Sequence, residues 1–333
     1  MKKYGAAITV ILSTVILFSF FHRVVLDANQ LSFAAGGDGL KSTFGTVYHI
    51  KYDSTYWHTD AMNFPFGESV FFTGNQVVLT NILKLMKDVG WDLSDYAMGI
   101  SNILILLSFV LAALFIYLIF IELKMGWWMA IAGSILIILL SNQWERLGGH
   151  YNLAYAHLIP VIIYMLLRFY RKPTYLLSSI FGIVVVLFSA KQLYIAAFIM
   201  LFWIPFWIFL FFHDREKFGR PLFLVTHMLI QFILPFILFN LFTGMHNPGL
   251  DRTAYPWGFY PSRILLNAVF FPEGLPHEFI QFKGVVRSKA YVGLLGTVVA
   301  AVILFSVVRK LVRRDGIKAL QVSENPAWSL LFW

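Results

Sequence analysis

Eight apolar runs dominate the sequence and leave few folds open to it. They lie near 5–21, 98–121, 127–141, 153–167, 175–190, 193–212, 222–243 and 291–308. A helix needs about 20 apolar residues to cross a bilayer core. Inside lipid every backbone polar group must be satisfied within the protein, so runs of this length read as spanning helices. Composition agrees: 59% of the 333 residues are hydrophobic and 13% charged, against about half and about one quarter in an average soluble protein. A water-soluble globule and a disordered chain are both excluded on that balance. The expected fold class is all-α, a polytopic membrane bundle in one domain. The third, fourth and fifth runs are short and lean on polar or aromatic flanks at headgroup level. The first follows Lys2 and Lys3 and lacks a small-x-small cleavage site, so it reads as an anchor rather than a signal peptide.

The short loops orient the bundle. With the N-terminus in the cytoplasm, Lys2, Lys3, Lys124, Arg168, Arg171, Lys172, Arg215, Lys217, Arg220, Arg309, Lys310, Arg313, Arg314 and Lys318 all fall inside. The two short outer loops, 142–152 and 189–192, carry only Arg146 and Lys191. This is the positive-inside pattern, and it accounts for the net charge of +9 without nucleic acid. Most of the 17 acids lie in outer segments, a bias that orientation does not require. The chemistry is therefore expected on the outer face. There are no cysteines, which removes disulfides and thiolate-ligated metals. The chain closes on a basic segment and the start of another apolar run at 326–333, which reads as the N-terminal part of a longer protein.

The outer loops 22–97 and 244–290 are long for connectors, and such loops usually carry function. Within the first, 76–89 has helical periodicity and is expected to lie on the membrane surface with its lysines at the headgroups, or to pack on the bundle top. Asp38 stands between glycines. That placement leaves a carboxylate open to a partner, although on local sequence alone a plain Gly-Asp-Gly turn is the simpler explanation. His58 and Asp60 offer two ligands where a metal needs three, and with Glu68 they sit among aromatics suited either to sugar faces or to an interfacial belt. Arg146 and His150 crowd the second outer loop, and His157 is expected two helical turns deeper on the same helix face as His150. Lys191, at the tip between the fifth and sixth spans, suits a phosphate or the lipid headgroups. Arg252, Arg263, Lys283, Arg287 and Lys289 give the last outer loop, which also holds Tyr255 and Trp257, a basic character that suits an anionic ligand.

Three segments, Gly36 to Lys41, His58 to Glu68 and Arg146 to Tyr155, resemble glycosyltransferase-like membrane proteins of Bacteroidetes-type bacteria. The plan of one span, a large outer loop with an early Asp, surface helices and further spans resembles the GT-C type of integral membrane glycosyltransferase. Protein O-mannosyltransferases, oligosaccharyltransferases and lipid A aminoarabinose transferases share that plan. The resemblance covers nearly the whole chain. It implies a bacterial inner-membrane enzyme with its active face in the periplasm. Asp38 would be the catalytic carboxylate, and a sugar on a polyprenyl phosphate the donor. An acceptor glycan, lipid or protein hydroxyl would be the other partner. Such enzymes often pair acids around that Asp. Here glycines flank Asp38, so a divalent cation stays an open possibility. On their place in or beside the outer loops, His58, Asp60, Glu68, Arg146, His150, His157, Lys191, Tyr255, Trp257 and Arg263 are the expected substrate-binding residues.

Other classes stay open. A transporter or flippase of lipid-linked glycans would carry charges at mid-span and paired broken helices, and the span centres are nearly free of charge. A polymerase or ligase of surface polysaccharide usually carries its large loop late in the chain. No Rossmann glycine fingerprint or P-loop points to a nucleotide sugar.

Overall fold

The computed structural model describes residues 4–34, 36–191, 193–213, 221–245 and the single positions 301 and 305. These belong, apart from the last two, to a compact unit spanning Met1–Pro248; a second unit, Gly249–Trp333, lies otherwise outside the described residues. So do the expected eighth span at 291–308 except for those two positions, most of the last outer loop and the chain's end.

Ten helices and one small hairpin make up the described part: α1 Gly5–Leu26, α2 Gly37–Lys51, β1 His58–Thr59, β2 Glu68–Ser69, α3 Val77–Asp88, α4 Ala97–Glu122, α5 Trp127–Leu139, α6 Leu158–Arg171, α7 Tyr175–Lys191, α8 Leu193–His213, α9 Pro221–Met228 and α10 Leu234–Met245. Among the described residues six stretches are long and apolar enough to cross a membrane: α1, α4, α8, the continuous α9–α10, and α5 and α6 with the 3₁₀ turns that extend them. α7 is apolar but shorter, at 17 residues.

Helix α4 is the central post, packed against α1, α5 and α6. On α1 the buried positions Gly5, Thr9, Ser13 and Leu17 recur every fourth residue. Small residues on one stripe let two helix backbones approach closely in lipid. A Cβ on Gly5 would lie 2.1 Å from the Tyr117 hydroxyl. The buried hydroxyls cost little, because Thr9 Oγ1 donates to the Gly5 carbonyl at 2.9 Å and Ser13 Oγ to that of Val10 at 3.1 Å. At the other end of the pair the Asn102 amide donates to the Ala28 and Leu31 carbonyls at 2.9 and 2.7 Å, fixing where the first loop leaves α1.

The first loop forms a cap of α2, α3 and the β1–β2 hairpin. Its core is Ile50, Leu79, Leu83 and Ala97, with Val47, Met86, Leu93, Ile100 and Leu104 packed around them. The hairpin sits on α10: Trp57 meets Phe242 edge to face at 4.8 Å, and Phe71 meets Phe239 likewise at 5.8 Å. The end of the bundle away from this cap carries the ion pairs Arg168–Glu122 at 3.3 Å and Arg171–Glu122 at 2.5 Å.

The short runs have a structural cause. Between α5 and α6 the chain forms two 3₁₀ turns, Asn142–Gly148 and Tyr151–Leu153, and α6 starts only at Leu158. This segment descends beside α4. Trp144 stacks on Phe109 with ring centroids 3.9 Å apart, and the Ala156 N–H reaches Ser108 Oγ at 3.2 Å. Ser108 lies eleven residues past the start of α4, about 16 Å along its axis. The segment therefore enters the bundle to the level of the middle of α4. Non-helical backbone at such depth is tolerated only where protein covers it or it lines a cavity. One expectation fails here. His150 and His157 do not share a helix face: His150 precedes a 3₁₀ turn and His157 is the N-cap of α6.

Candidate functional site

Asp38 is the second residue of α2 and its side chain is 60% exposed. Gly37, with φ of +58°, makes the turn into the helix. A second glycine brings its neighbours in. A Cβ on Gly39 would stand 3.2 Å from Gly149 Cα, and one on Gly149 would stand 3.2 Å from the Gly39 nitrogen. Only glycines permit this crossing of α2 with the descending segment. Tyr151 locks it: its hydroxyl accepts the Ala34 N–H at 3.1 Å and bonds Ser32 Oγ at 2.8 Å. The crossing carries His150 to the Asp38 carboxylate, with Nδ1 3.9 Å from Oδ2, while Lys41 Nζ stands 3.8 Å from Oδ1. Arg146 is exposed in the same segment, one turn before His150.

Deeper lies a second group. Lys191 Nζ sits 3.3 Å from the centre of the Tyr155 ring. Among the described residues no carboxylate lies within ion-pair distance of it. A partly buried ammonium without an acid meets the ring face instead. The Tyr155 hydroxyl donates to Gln76 Oε1 at 2.5 Å, and the Gln76 amide donates to Ser101 Oγ, so this group is tied to the first loop and to α4. His157 packs its ring against Tyr155 and Phe188, and among the described residues its Nδ1 has no partner.

The remaining expected residues lie elsewhere. His58 and Asp60 pair at 3.4 Å on the hairpin, and Glu68 is buried on its second strand. The hairpin is fastened to the far end of α2, where the Asp60 N–H donates to Asp53 Oδ1 at 3.0 Å. A helix of 15 residues separates that end from Asp38 by about 20 Å. His58, Asp60 and Glu68 thus do not share a site with Asp38. Tyr255, Trp257 and Arg263 lie outside the described residues. A cavity of about 500 Å³ opens between the end of α1 and the start of α4, lined by Asp27, Asn29, Gln30, Tyr96 and Ile100 among others; Asp38 does not line it. Among the described residues no three His, Asp or Glu side chains gather as a metal site would need.

Sequence reasoning missed the buried polar knot behind α2. His49 Nδ1 donates to Asp53 Oδ2 at 2.6 Å, and its Nε2 faces Asn81 Oδ1 at 3.2 Å. Lys84 donates to the His49 carbonyl at 3.3 Å and to that of Asp53, and Lys87 to those of Ile50 and Lys51 at 3.2 and 2.8 Å. Those of His49, Ile50 and Lys51 are the carbonyls a helix C-terminus leaves unpaired. Burial pulls the Lys84 ammonium below its usual pKa. The lysines expected at the headgroups are thus turned into the protein. The i,i+4 spacing of His49 and Asp53 was the available signal.

A bundle of apolar helices with a structured loop cap and one broken, descending connection defines a multi-pass helical membrane protein. The chain belongs to the family described as a domain of unknown function, DUF6311, which matches residues 10–331. No curated protein and no solved structure matches it.

Proposed function

We propose that the protein transfers a sugar from a polyprenyl-phosphate donor to an acceptor hydroxyl, on the periplasmic face of a bacterial inner membrane. The observation that carries this reading is the open Asp38 carboxylate held against His150 at the head of a segment that enters the bundle. In the reaction, the acceptor oxygen forms its bond to the anomeric carbon as the bond from that carbon to the phosphate oxygen breaks. The electron pair leaves with the phosphate, and Asp38 takes the acceptor proton. General-base work of this kind is worth about 10²–10⁴-fold. Lys191, which lacks an acid partner among the described residues, supplies positive charge for the departing phosphate. Holding a lipid-borne donor beside the acceptor contributes through positioning.

The test uses the full-length protein in vesicles with a panel of labelled polyprenyl-phosphate sugars. Wild type should transfer label to an acceptor, and Asp38→Asn should not, with expression and insertion unchanged. Undiminished transfer by Asp38→Asn would remove Asp38 from the mechanism. One observation favours a second reading: broken helices at mid-bundle level also occur in transporters. Movement of the lipid-linked glycan across the vesicle membrane without a change in its bonds would select that reading.

A further inference from the structure

Helix α3 wears its polarity inside out. Every strongly polar side chain on it has a protein partner. Thr80 bonds the Gln76 carbonyl, Asn81 meets His49, Lys84 and Lys87 cap α2, and Asp88 accepts the Tyr56 hydroxyl. Apart from the exposed Asp88 in its last turn, what α3 turns outward is an apolar stripe of the half-buried Val78, then Ile82, Leu85 and, just past the helix end, Val89. Their spacing of four, three and four residues puts them on one face. Ile82, Leu85 and Val89 are 52, 54 and 69% exposed. A helix on a water-facing surface would present its lysines outward and bury this stripe, because apolar burial and ammonium solvation both favour that arrangement.

The neighbours of α3 indicate what covers the stripe. α3 packs against α4 and α7, both strongly apolar helices that themselves expose large side chains, such as Ile103 and Leu107 on α4 and Ile183 and Leu187 on α7. The stripe thus continues an apolar surface that belongs in lipid. We propose that α3 is seated in the bilayer at the boundary of headgroups and acyl chains, with Ile82, Leu85 and Val89 toward the chains. Its lysines take no part in headgroup binding. This placement does not depend on sugar transfer.

The chain has no cysteine, so Ile82→Cys, Leu85→Cys and Val89→Cys each give one labelling site at an exposed position. Each variant is labelled with a polarity-sensitive fluorophore and reconstituted into vesicles of phosphatidylethanolamine and phosphatidylglycerol. Quenching is then compared between lipids brominated on the acyl chain and aqueous iodide. The expected result is blue-shifted emission, most of it lost to bromolipid and little to iodide at all three positions. Loss to iodide alone would place the stripe in water and overturn the proposal. Protection from both quenchers would overturn it too, since protein would then cover the stripe, whether residues 246–333 of this chain or a second copy.

Discussion

The Asp38 carboxylate and the His150 imidazole meet at 3.9 Å because two glycines, Gly39 and Gly149, let α2 and the descending segment cross at backbone contact. Both side chains are more than half exposed. Water screens such a pair, which is then worth about 1 kcal/mol at most. The two residues therefore have unequal parts in the proposed reaction. His150→Gln should lower sugar transfer by about fivefold or less, the equivalent of that energy. Asp38→Asn should cost about 10²–10⁴-fold. Transfer rates of the two variants, measured with the same donor, check the ranking. A His150→Gln loss as large as that of Asp38→Asn would place the imidazole in proton transfer rather than in positioning.

His49 holds the interior of the cap. It is fully buried, and its removal strands the Asp53 carboxylate, whose other oxygen carries the Asp60 N–H of the hairpin. An unsatisfied buried acceptor costs about 1–3 kcal/mol, and more when charged. His49→Leu should therefore destabilise the cap by about 3 kcal/mol. Hydrogen exchange should rise in both the end of α2 and the 58–69 hairpin. Exchange confined to α2 would show that Asp53 does not couple the two.

The sequence located the helices well and the contacts between them poorly, for physical reasons. Apolar runs report spans directly, since lipid demands them, and seven of the eight runs coincide with described apolar helices. Where run and helix differ most, at 153–157, the cause is the 3₁₀ descent, whose mixed aromatic and polar residues carry no helical period. The helical period of α3 was legible, but the direction of its lysines depends on where α2 ends beside it. Likewise Asp38 and His58 share one outer loop in sequence, yet α2 holds them apart by its own length. The approach of His150 to Asp38 rests on a long-range glycine crossing that no local pattern encodes.

Low pH should loosen the entry to α4. Asp92 Oδ1 accepts the Ser94 N–H at 2.9 Å, and hydrogen bonding from Ser94 holds the Asp92 carboxyl below its ordinary value of 3.8. A depressed carboxylate stabilises the folded turn above its unfolded pKa, and that contribution is lost as pH falls through the folded value. Protection of the Ser94 amide should therefore persist at pH 5 and fall once the pH drops below the lowered pKa. Asp92→Asn keeps an acceptor without the titration, so its protection should not change with pH over that range. Hydrogen exchange followed at Ser94 on both proteins reads the difference directly.

Gly182 sets how α7 meets the wide turn between α9 and α10. A Cβ there would lie 2.4 Å from the Ile230 carbonyl oxygen and 3.0 Å from Pro235 Cγ. Ile230 belongs to the π-helical turn Leu229–Ile233, which projects Gln231 into the bundle. There Gln231 Oε1 accepts from Trp203 and Trp207 at 3.1 and 3.2 Å, and its amide donates to Ser178 on α7 at 3.0 Å. The backbone carbonyl cannot yield without moving that turn, so Gly182→Ala overpacks the contact at a cost of about 1–3 kcal/mol. It should lower the Tm in detergent and shift tryptophan emission as the indole bonds to Gln231 lengthen. Gly244→Ala is the comparison, because a Cβ at Gly244 in α10 meets nothing within 4 Å among the described residues. Relief of glycine's backbone entropy should there raise stability by about 0.5–1 kcal/mol. Opposite signs for the two substitutions separate a packing constraint from helix propensity, and equal signs would mean that the α7 contact is looser than its geometry requires.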